Sequence, residues 1–246
     1  MIYYFSATGN NKYVAERIAE AIGDEAKSIQ EMDPNLAPSD IIGFVSPTYG
    51  WGLPEIFKRF FSSLTLSVKP SFCFFAATYG TSPGFIGQQA KEMLAKRGVT
   101  IDAFFSVKMP DNWTPTYDLS DPEKVAETNR KADEEIAVIL EQIMRHEHGS
   151  FMKDTKLFLA SVIALPEYEK MRKTSHFTVD DTCIGCGLCE RKCPDHAIRI
   201  EGKKPTWIKE RCIMCLGCLH RCPKFAIQYD NRTRYHGQYR HPKTRV

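Results

Sequence analysis

No apolar run in the second half of these 246 residues approaches the ~20 that a membrane helix needs. The longest there is LFLASVIALP, residues 157–166, so no membrane span is expected. No basic region and cleavage site precede the first apolar strand at Ile2, so nothing reads as a secretory leader and a cytoplasmic setting is expected. The chain has no G-x-G-x-x-G, the dinucleotide fingerprint, and no Gly-Lys-Ser/Thr, the Walker loop. No nucleic-acid-binding motif accompanies its basic residues. Cysteine is almost absent before residue 183: Cys73 stands alone, and the other eight of nine lie between 183 and 222. A secreted disulfide scaffold fits that distribution poorly.

Charge is uneven. Residues 1–176 carry 19 Lys and Arg against 23 Asp and Glu, whereas residues 177–246 carry 14 against 7. An acidic first part and a basic second part predict two units with different surfaces. The last 16 residues hold five Lys or Arg and no acid, and the pattern predicts a disordered or partner-docking basic tail over 231–246.

Up to residue 148 strands and helices alternate. MIYYF, DIIGFVSP (40–47), SFCFFAAT (71–78) and TIDAFFSV (100–107) read as strands, with a weaker one near 25–29. Helices are predicted after Gly9, after Pro54, over 84–97 and over 122–148, the last with Val125, Ala132, Ile136, Ile139 and Ile143 on one face. This alternation predicts an α/β domain with a doubly wound, five-stranded parallel sheet over 1–148. Residues 149–176 read as a partly helical junction, and Cys73 as a small core residue.

Residues 177–230 contain an internal repeat. TCIGCGLCERKCPDHAIRIE (182–201) aligns with RCIMCLGCLHRCPKFAIQYD (211–230) at an offset of 29. Cys183, Cys186, Cys189 and Cys193 form C-x2-C-x2-C-x3-C-P, and Cys212, Cys215, Cys218 and Cys222 repeat it. Zinc also favours thiolates, but its sites use two C-x2-C pairs and have no place for the third cysteine. The run resembles that of bacterial ferredoxins, whose fourth cysteine ligates the other cluster. The resemblance implies two [4Fe–4S] clusters, one on Cys183, Cys186, Cys189 and Cys222, the other on Cys212, Cys215, Cys218 and Cys193. It also implies a small α+β ferredoxin domain held folded largely by its clusters.

At the other end, a strand, a loop with Gly9 and a helix N-terminus make an anion site, because exposed N–H groups and the helix dipole favour phosphate. Ser6, Thr8, Asn10 and Asn11 add side-chain donors. S-x-T-G-N-N resembles the phosphate loop of flavodoxins, with Asn11 in place of the final hydroxyl. Two further loops follow later strands: Pro47, Thr48, Tyr49, Gly50, Trp51 and Gly52 in one, Thr78, Tyr79 and Gly80 in the other. Ligands of such sheets sit at the carboxyl ends of the strands. Aromatic residues flanking a flat ring, with glycines beside its polar edge, suit the isoalloxazine of FMN. The long loop 107–121, with Asn112, Trp113 and Tyr117, either covers that ring or is a packed surface loop.

The whole chain thus resembles flavodoxin-like and ferredoxin fusions of anaerobic microbes. That resemblance implies FMN, two clusters and one-electron transfer between them. The first functional expectation is an electron carrier served by a redox protein such as a ferredoxin, since no pyridine-nucleotide fingerprint is present. The second is an FMN-dependent reductase of a small molecule. A nucleic-acid-associated or redox-sensing role is the weakest, and no nucleic acid is expected as a partner.

Overall fold

The computed structural model describes residues 1–30, 32–153 and 167–246. The first half follows the alternating pattern: β1 (Ile2–Tyr4), α1 (Asn10–Ile22), β2 (Ala26–Ser28), β3 (Asn35–Leu36), β4 (Ile41–Pro47), α2 (Glu55–Ser63), β5 (Thr65–Leu66), β6 (Phe72–Tyr79), α3 (Ile86–Ala95), β7 (Ala103–Lys108), α4 (Pro122–Met144) and β8 (Gly149–Phe151). The main sheet is parallel in the order β2-β1-β4-β6-β7-β8. β3 and β5 form a separate parallel pair.

Period-two alternation divides the core between the two faces. Tyr3, Phe5, Phe44 and Phe75 pack with Phe57 and Phe61 of α2 on one side. Ile2, Val45, Phe74 and Phe105 pack with Val14 and Ile18 of α1 and Ile136 of α4 on the other. All eight side chains of β6, Cys73 included, are buried, as a central parallel strand requires. α4 begins at Asp121, whose carboxylate accepts from the N–H groups of Glu123 and Lys124, with Pro122 in the first turn.

The sheet has six strands, not five. β8 lies in the stretch read as junction and pairs with β7, Phe104 opposite Ser150. Its three residues are all exposed, so it carries no buried-strand pattern to read. Phe151 is held by stacking on Phe105, ring centroids 5.4 Å apart. Of the expected junction helix, residues 167–171 are helical, and 154–166, with the apolar run, lie outside the described residues.

The second half is built on β9 (Phe177–Val179), α5 (Leu188–Arg191), β10 (Ile198–Glu201), β11 (Lys204–Trp207), α6 (Gly217–Arg221) and β12 (Ile227–Tyr229). β9 pairs antiparallel with β12, and β10 with β11. The repeat recurs in the backbone. Gly185 and Met214, Gly187 and Leu216, and His196 and Phe225 are 29 residues apart, and all have φ between 46° and 72°. The second run thus places bulky residues in a left-handed conformation that costs roughly 1–2 kcal/mol each relative to glycine. Met214 and Leu216 are almost fully buried, and that burial offsets the cost.

Residues 231–246 do not form a disordered tail. Thr233, Tyr239 and His241 are buried. The segment returns to the first half, where His241 N–H donates to Thr8 O at 2.7 Å and the His241 ring stacks on Tyr13 at 4.2 Å. Two of its five cations pair with carboxylates, Lys243 with Asp133 at 2.6 Å and Arg234 with Asp180 at 3.4 Å. Charge counting alone cannot find this, because the anchors are Thr233, Tyr239 and His241, which stand between the cations.

Candidate functional site

One cavity of about 290 Å³ opens at the carboxyl ends of β1, β4, β6 and β7. From the first loop Ser6, Thr8, Asn10 and Asn11 line it. The second loop contributes Pro47, Thr48, Tyr49, Gly50 and Trp51, and the third Thr78, Tyr79 and Gly80. Gly9 and Gly52 are not on its wall. Gly9 has φ 107°, and a Cβ there would meet His241 Cβ at 2.7 Å, so glycine is what allows the C-terminal segment to cross the loop. Gly52 exchanges two backbone hydrogen bonds with Tyr49, both 3.0 Å, and closes the turn that carries Trp51.

The loop side chains are more committed to one another than expected. Ser6 Oγ accepts from Gly9 N–H at 3.0 Å. Asn11 is turned inward: Nδ2 donates to Phe5 O at 2.7 Å and Oδ1 accepts from Thr78 Oγ1. It therefore braces β1 against β6. Asn10 Nδ2 donates to Pro110 O at 3.3 Å, and Asn10 Oδ1 accepts from Tyr239 at 2.7 Å. Thr8 Oγ1 accepts from Asn112 Nδ2 at 2.7 Å, which leaves its own hydrogen to give. The glycines also differ from expectation. A Cβ on Gly50 would meet Tyr168 at 2.8 Å, and one on Gly80 would meet Asp111 at 2.0 Å, so both make room for protein side chains.

Several lining residues lie outside the three loops. Met109 to Trp113, Thr116 and Tyr117 come from the long loop, which is singled out in the sequence by its length and by Asn112, Trp113 and Tyr117. In that loop Asn112 lines the cavity, while Trp113 packs edge-on to Tyr229 of the cysteine half at 5.2 Å. Burial holds the Asp111 carboxyl above the usual carboxylate range, against a lowering hydrogen bond from Trp113 N–H. Tyr168 and Met171 join the wall from the helical residues 167–171, and Met214, Cys215 and Leu216 from the second cysteine run. Nothing local in the sequence pairs 214–216 with residues 6–11.

The cysteines form two groups. Cys183, Cys186, Cys189 and Cys222 rim one small hollow beside Ile184 and Lys224. Burial above all holds the thiols of Cys212, Cys215 and Cys218 protonated, and the nearby Cys193 sulfur adds to the effect at each of the three. Burial pushes Cys189 and Cys215 up to about 11 and Cys212 to about 12. Thiols so placed stay protonated at neutral pH unless a cationic centre holds them as thiolates. Cysteines gathered around a hollow, two runs exchanging their fourth member, fit polynuclear iron–sulfur ligation. The cavity fits FMN: its wall carries the buried Thr48 hydroxyl, which has no protein partner, beside an anion-favouring helix N-terminus.

The halves are joined by direct hydrogen bonds. Arg221 Nε donates to Ala7 O at 2.9 Å, and Nη1 to Lys192 O at 3.1 Å. His220 Nε2 donates to Asn112 O at 2.8 Å, and His220 Nδ1 accepts from Tyr239 N–H at 3.1 Å. Burial lowers the His220 pKa to about 4, as suits a neutral ring with one donor and one acceptor nitrogen. Ile213 packs into the core shared with Phe57 and Phe61.

A doubly wound sheet with a phosphate-type loop at its carboxyl edge, followed by a duplicated ferredoxin run, defines an iron–sulfur flavoprotein. The family described as flavodoxin domain matches residues 1–136, more than half of the sequence, and the chain belongs to it; the 4Fe-4S dicluster domain matches residues 176–223. No curated protein matches the chain. Among solved structures it is similar to the two-electron reduced flavodoxin of Megasphaera elsdenii, with 23% identity over 54% of this chain and 97% of that one, TM-score 0.37. Flavodoxin 1 of Bacillus cereus has 19% identity over 56% and 95%, TM-score 0.38. The rubredoxin oxygen:oxidoreductase of the anaerobe Desulfovibrio gigas has 15% identity over 56% of this chain, TM-score 0.38, and the chain spans 36% of its length. The cofactors are FMN and [4Fe–4S], and the role is electron transfer. Among the described residues no helix is long and apolar enough to cross a membrane.

Proposed function

We propose that the chain carries electrons inward, from an acidic redox protein such as a ferredoxin, through an outer and then an inner [4Fe–4S] cluster, to FMN. The observation that carries this reading is Cys215, which lines the same cavity as Thr8 and Tyr79. The inner ligands are Cys212, Cys215, Cys218 and Cys193, and the outer ones Cys183, Cys186, Cys189 and Cys222. Cys186 is exposed, and so is Ile184 at 60%. Exposed Arg191, Lys203 and Lys224 surround that loop; Arg191 Nη1 donates to Cys186 O at 3.0 Å. A basic rim with an apolar centre suits an acidic partner.

The chain's own residues bind and orient. The N–H groups at the start of α1 and the Thr8 hydroxyl would hold the FMN phosphate, Tyr49 and Tyr79 would flank its ring, and loop 109–117 with Tyr168 would keep water from it. Bound FMN accepts one or two electrons and each cluster passes one. Protein purified without oxygen is expected to hold one FMN and eight irons. Cys193→Ser should damage the cluster of Cys212, Cys215 and Cys218. Loss at the Cys183 run instead would sink the crossed assignment.

Asp111 favours a second reading, reduction of a small molecule in the same cavity. A half-buried carboxyl on the cavity wall that keeps its proton above the usual range would be a proton source for a substrate bound there. Asp111→Asn would then abolish turnover of a small acceptor while reduction by ferredoxin survives; equal turnover by both forms rejects the reading.

A further inference from the structure

Arg221 is only 8% exposed. Its recorded acceptors are two neutral carbonyl oxygens, those of Ala7 and Lys192. Among the described residues no carboxylate lies within the 4.0 Å of an ion pair, whereas Arg59, Arg172 and Arg211 each have one. A buried guanidinium without a counter-charge is expensive, so a negative charge belongs beside it. The surroundings say where. A Cβ on Gly217 would meet Arg221 Nη2 at 2.9 Å and Cys215 Sγ at 3.5 Å, so cation and thiol crowd the same point. Lys192, whose carbonyl takes the second bond, adjoins Cys193. Ala7, whose carbonyl takes the first, belongs to the phosphate loop.

We infer that Arg221 is the counter-cation of the inner cluster, and that its fixed charge raises that cluster's reduction potential above the outer one's, which makes the inward path downhill. The inference rests on the ligand assignment proposed above. A cluster held by four thiolates is anionic, and each added electron makes it more so. A cation held rigidly nearby favours the reduced form, and in a dry site the effect is large. The outer run has no buried equivalent: Lys192, 29 positions earlier, is exposed, and so is Arg191, whose Nη1 donates to Cys186 O at 3.0 Å, so water screens both charges. The repeat therefore diverges where one copy faces the cavity and the other faces solvent.

The test is a reductive titration of the intact protein followed by electron paramagnetic resonance. The inner signal is the one lost in Cys193→Ser. Arg221→Gln keeps a donor for the carbonyls and removes the charge; Arg221→Lys keeps the charge. The expected result is an inner-cluster reduction equilibrium at least tenfold less favourable in Arg221→Gln, which for one electron is 59 mV. Arg221→Lys should stay within about threefold of wild type by retained charge, and iron and FMN content should not change. An unchanged potential in Arg221→Gln overturns the inference, as does an equal fall in both variants. Failure of Arg221→Gln to hold its iron also counts against it, since a counter-cation is not needed for assembly. Wild-type protein with one cluster signal instead of two would overturn the ligand assignment as well, which separates the two failures.

Discussion

At the scale of single residues, the site depends on small polar groups with one free valence. Thr8 is buried, yet its hydroxyl accepts from Asn112 and keeps a hydrogen to give. Asn11, by contrast, spends its amide on Phe5 and Thr78. Thr8→Ala is therefore expected to weaken FMN binding roughly ten- to hundredfold, since a hydrogen bond to a charged group is worth ~1.5–3 kcal/mol. Riboflavin, which lacks the phosphate, should lose much less by fluorescence titration. Equal losses would mean that Thr8 serves the fold of the loop. The positions of Ser6, Thr8 and the cysteines were legible because their chemistry is local. The commitments of Asn11, Gly50 and Gly80 were not, because they depend on side chains far away in sequence.

At the scale of elements, the C-terminal segment acts as a strap across the phosphate loop. Gln238 Nε2 donates to Leu219 O and Cys222 O at the end of α6, and Tyr239 is shared between Asn10 and Asn129. Removing residues 240–246 deletes the hydrogen bond to Thr8 O and the stack on Tyr13. FMN should then dissociate roughly tenfold faster for one lost hydrogen bond of about 1 kcal/mol plus the stack, with iron content unchanged. Unaltered FMN release would show that the loop holds its shape alone. Burial lowers the pKa of His241 to about 4, with Asp133 raising it and Lys243 lowering it. Its ordinary value is near 6.5, so above that pH both folded and unfolded forms are neutral and nothing is lost. Between pH 6.5 and 4 the released segment binds a proton that the docked one does not, so docking weakens as pH falls, by up to roughly 3 kcal/mol. The protection factors of residues 239–244, with the intrinsic exchange rate divided out, should fall from pH 7 to pH 5, and His241→Phe should flatten that dependence. Equal pH responses in both proteins would remove His241 from the explanation.

At the scale of the molecule, the acidic and basic parts meet over the cavity, and the outer run is left facing solvent. Reduction by an acidic ferredoxin should slow as salt rises. Lys203→Glu with Lys224→Glu should slow it severalfold by weakened steering and flatten the salt curve. The 240–246 truncation removes Arg240, Lys243 and Arg245 but leaves Arg191, Lys203 and Lys224 around the Cys183 loop, and since Lys243 is already paired with Asp133 it should keep most of the wild-type slope in stopped-flow traces. If the truncation alone flattens the curve, docking runs over the strap and not over the Cys183 loop.

Strand and helix periodicity, cysteine spacing and the phosphate-type loop belong to short windows of chain. Each is decided by backbone sterics, side-chain period or ligand count, so the sequence by itself determined the sheet, the repeat and both cofactor classes. It could not determine that β8 extends the sheet, since an exposed three-residue strand has no pattern, nor that the strap crosses Gly9. Only the tertiary structure decided which cysteine run lies against the cavity. Both runs have the same spacing, and the choice was made by burial: Ile213, Met214 and Leu216 supply apolar surface to the flavodoxin core and cavity, while in the other run Ile184 is exposed and Gly185 and Gly187, in place of Met214 and Leu216, supply no side chain.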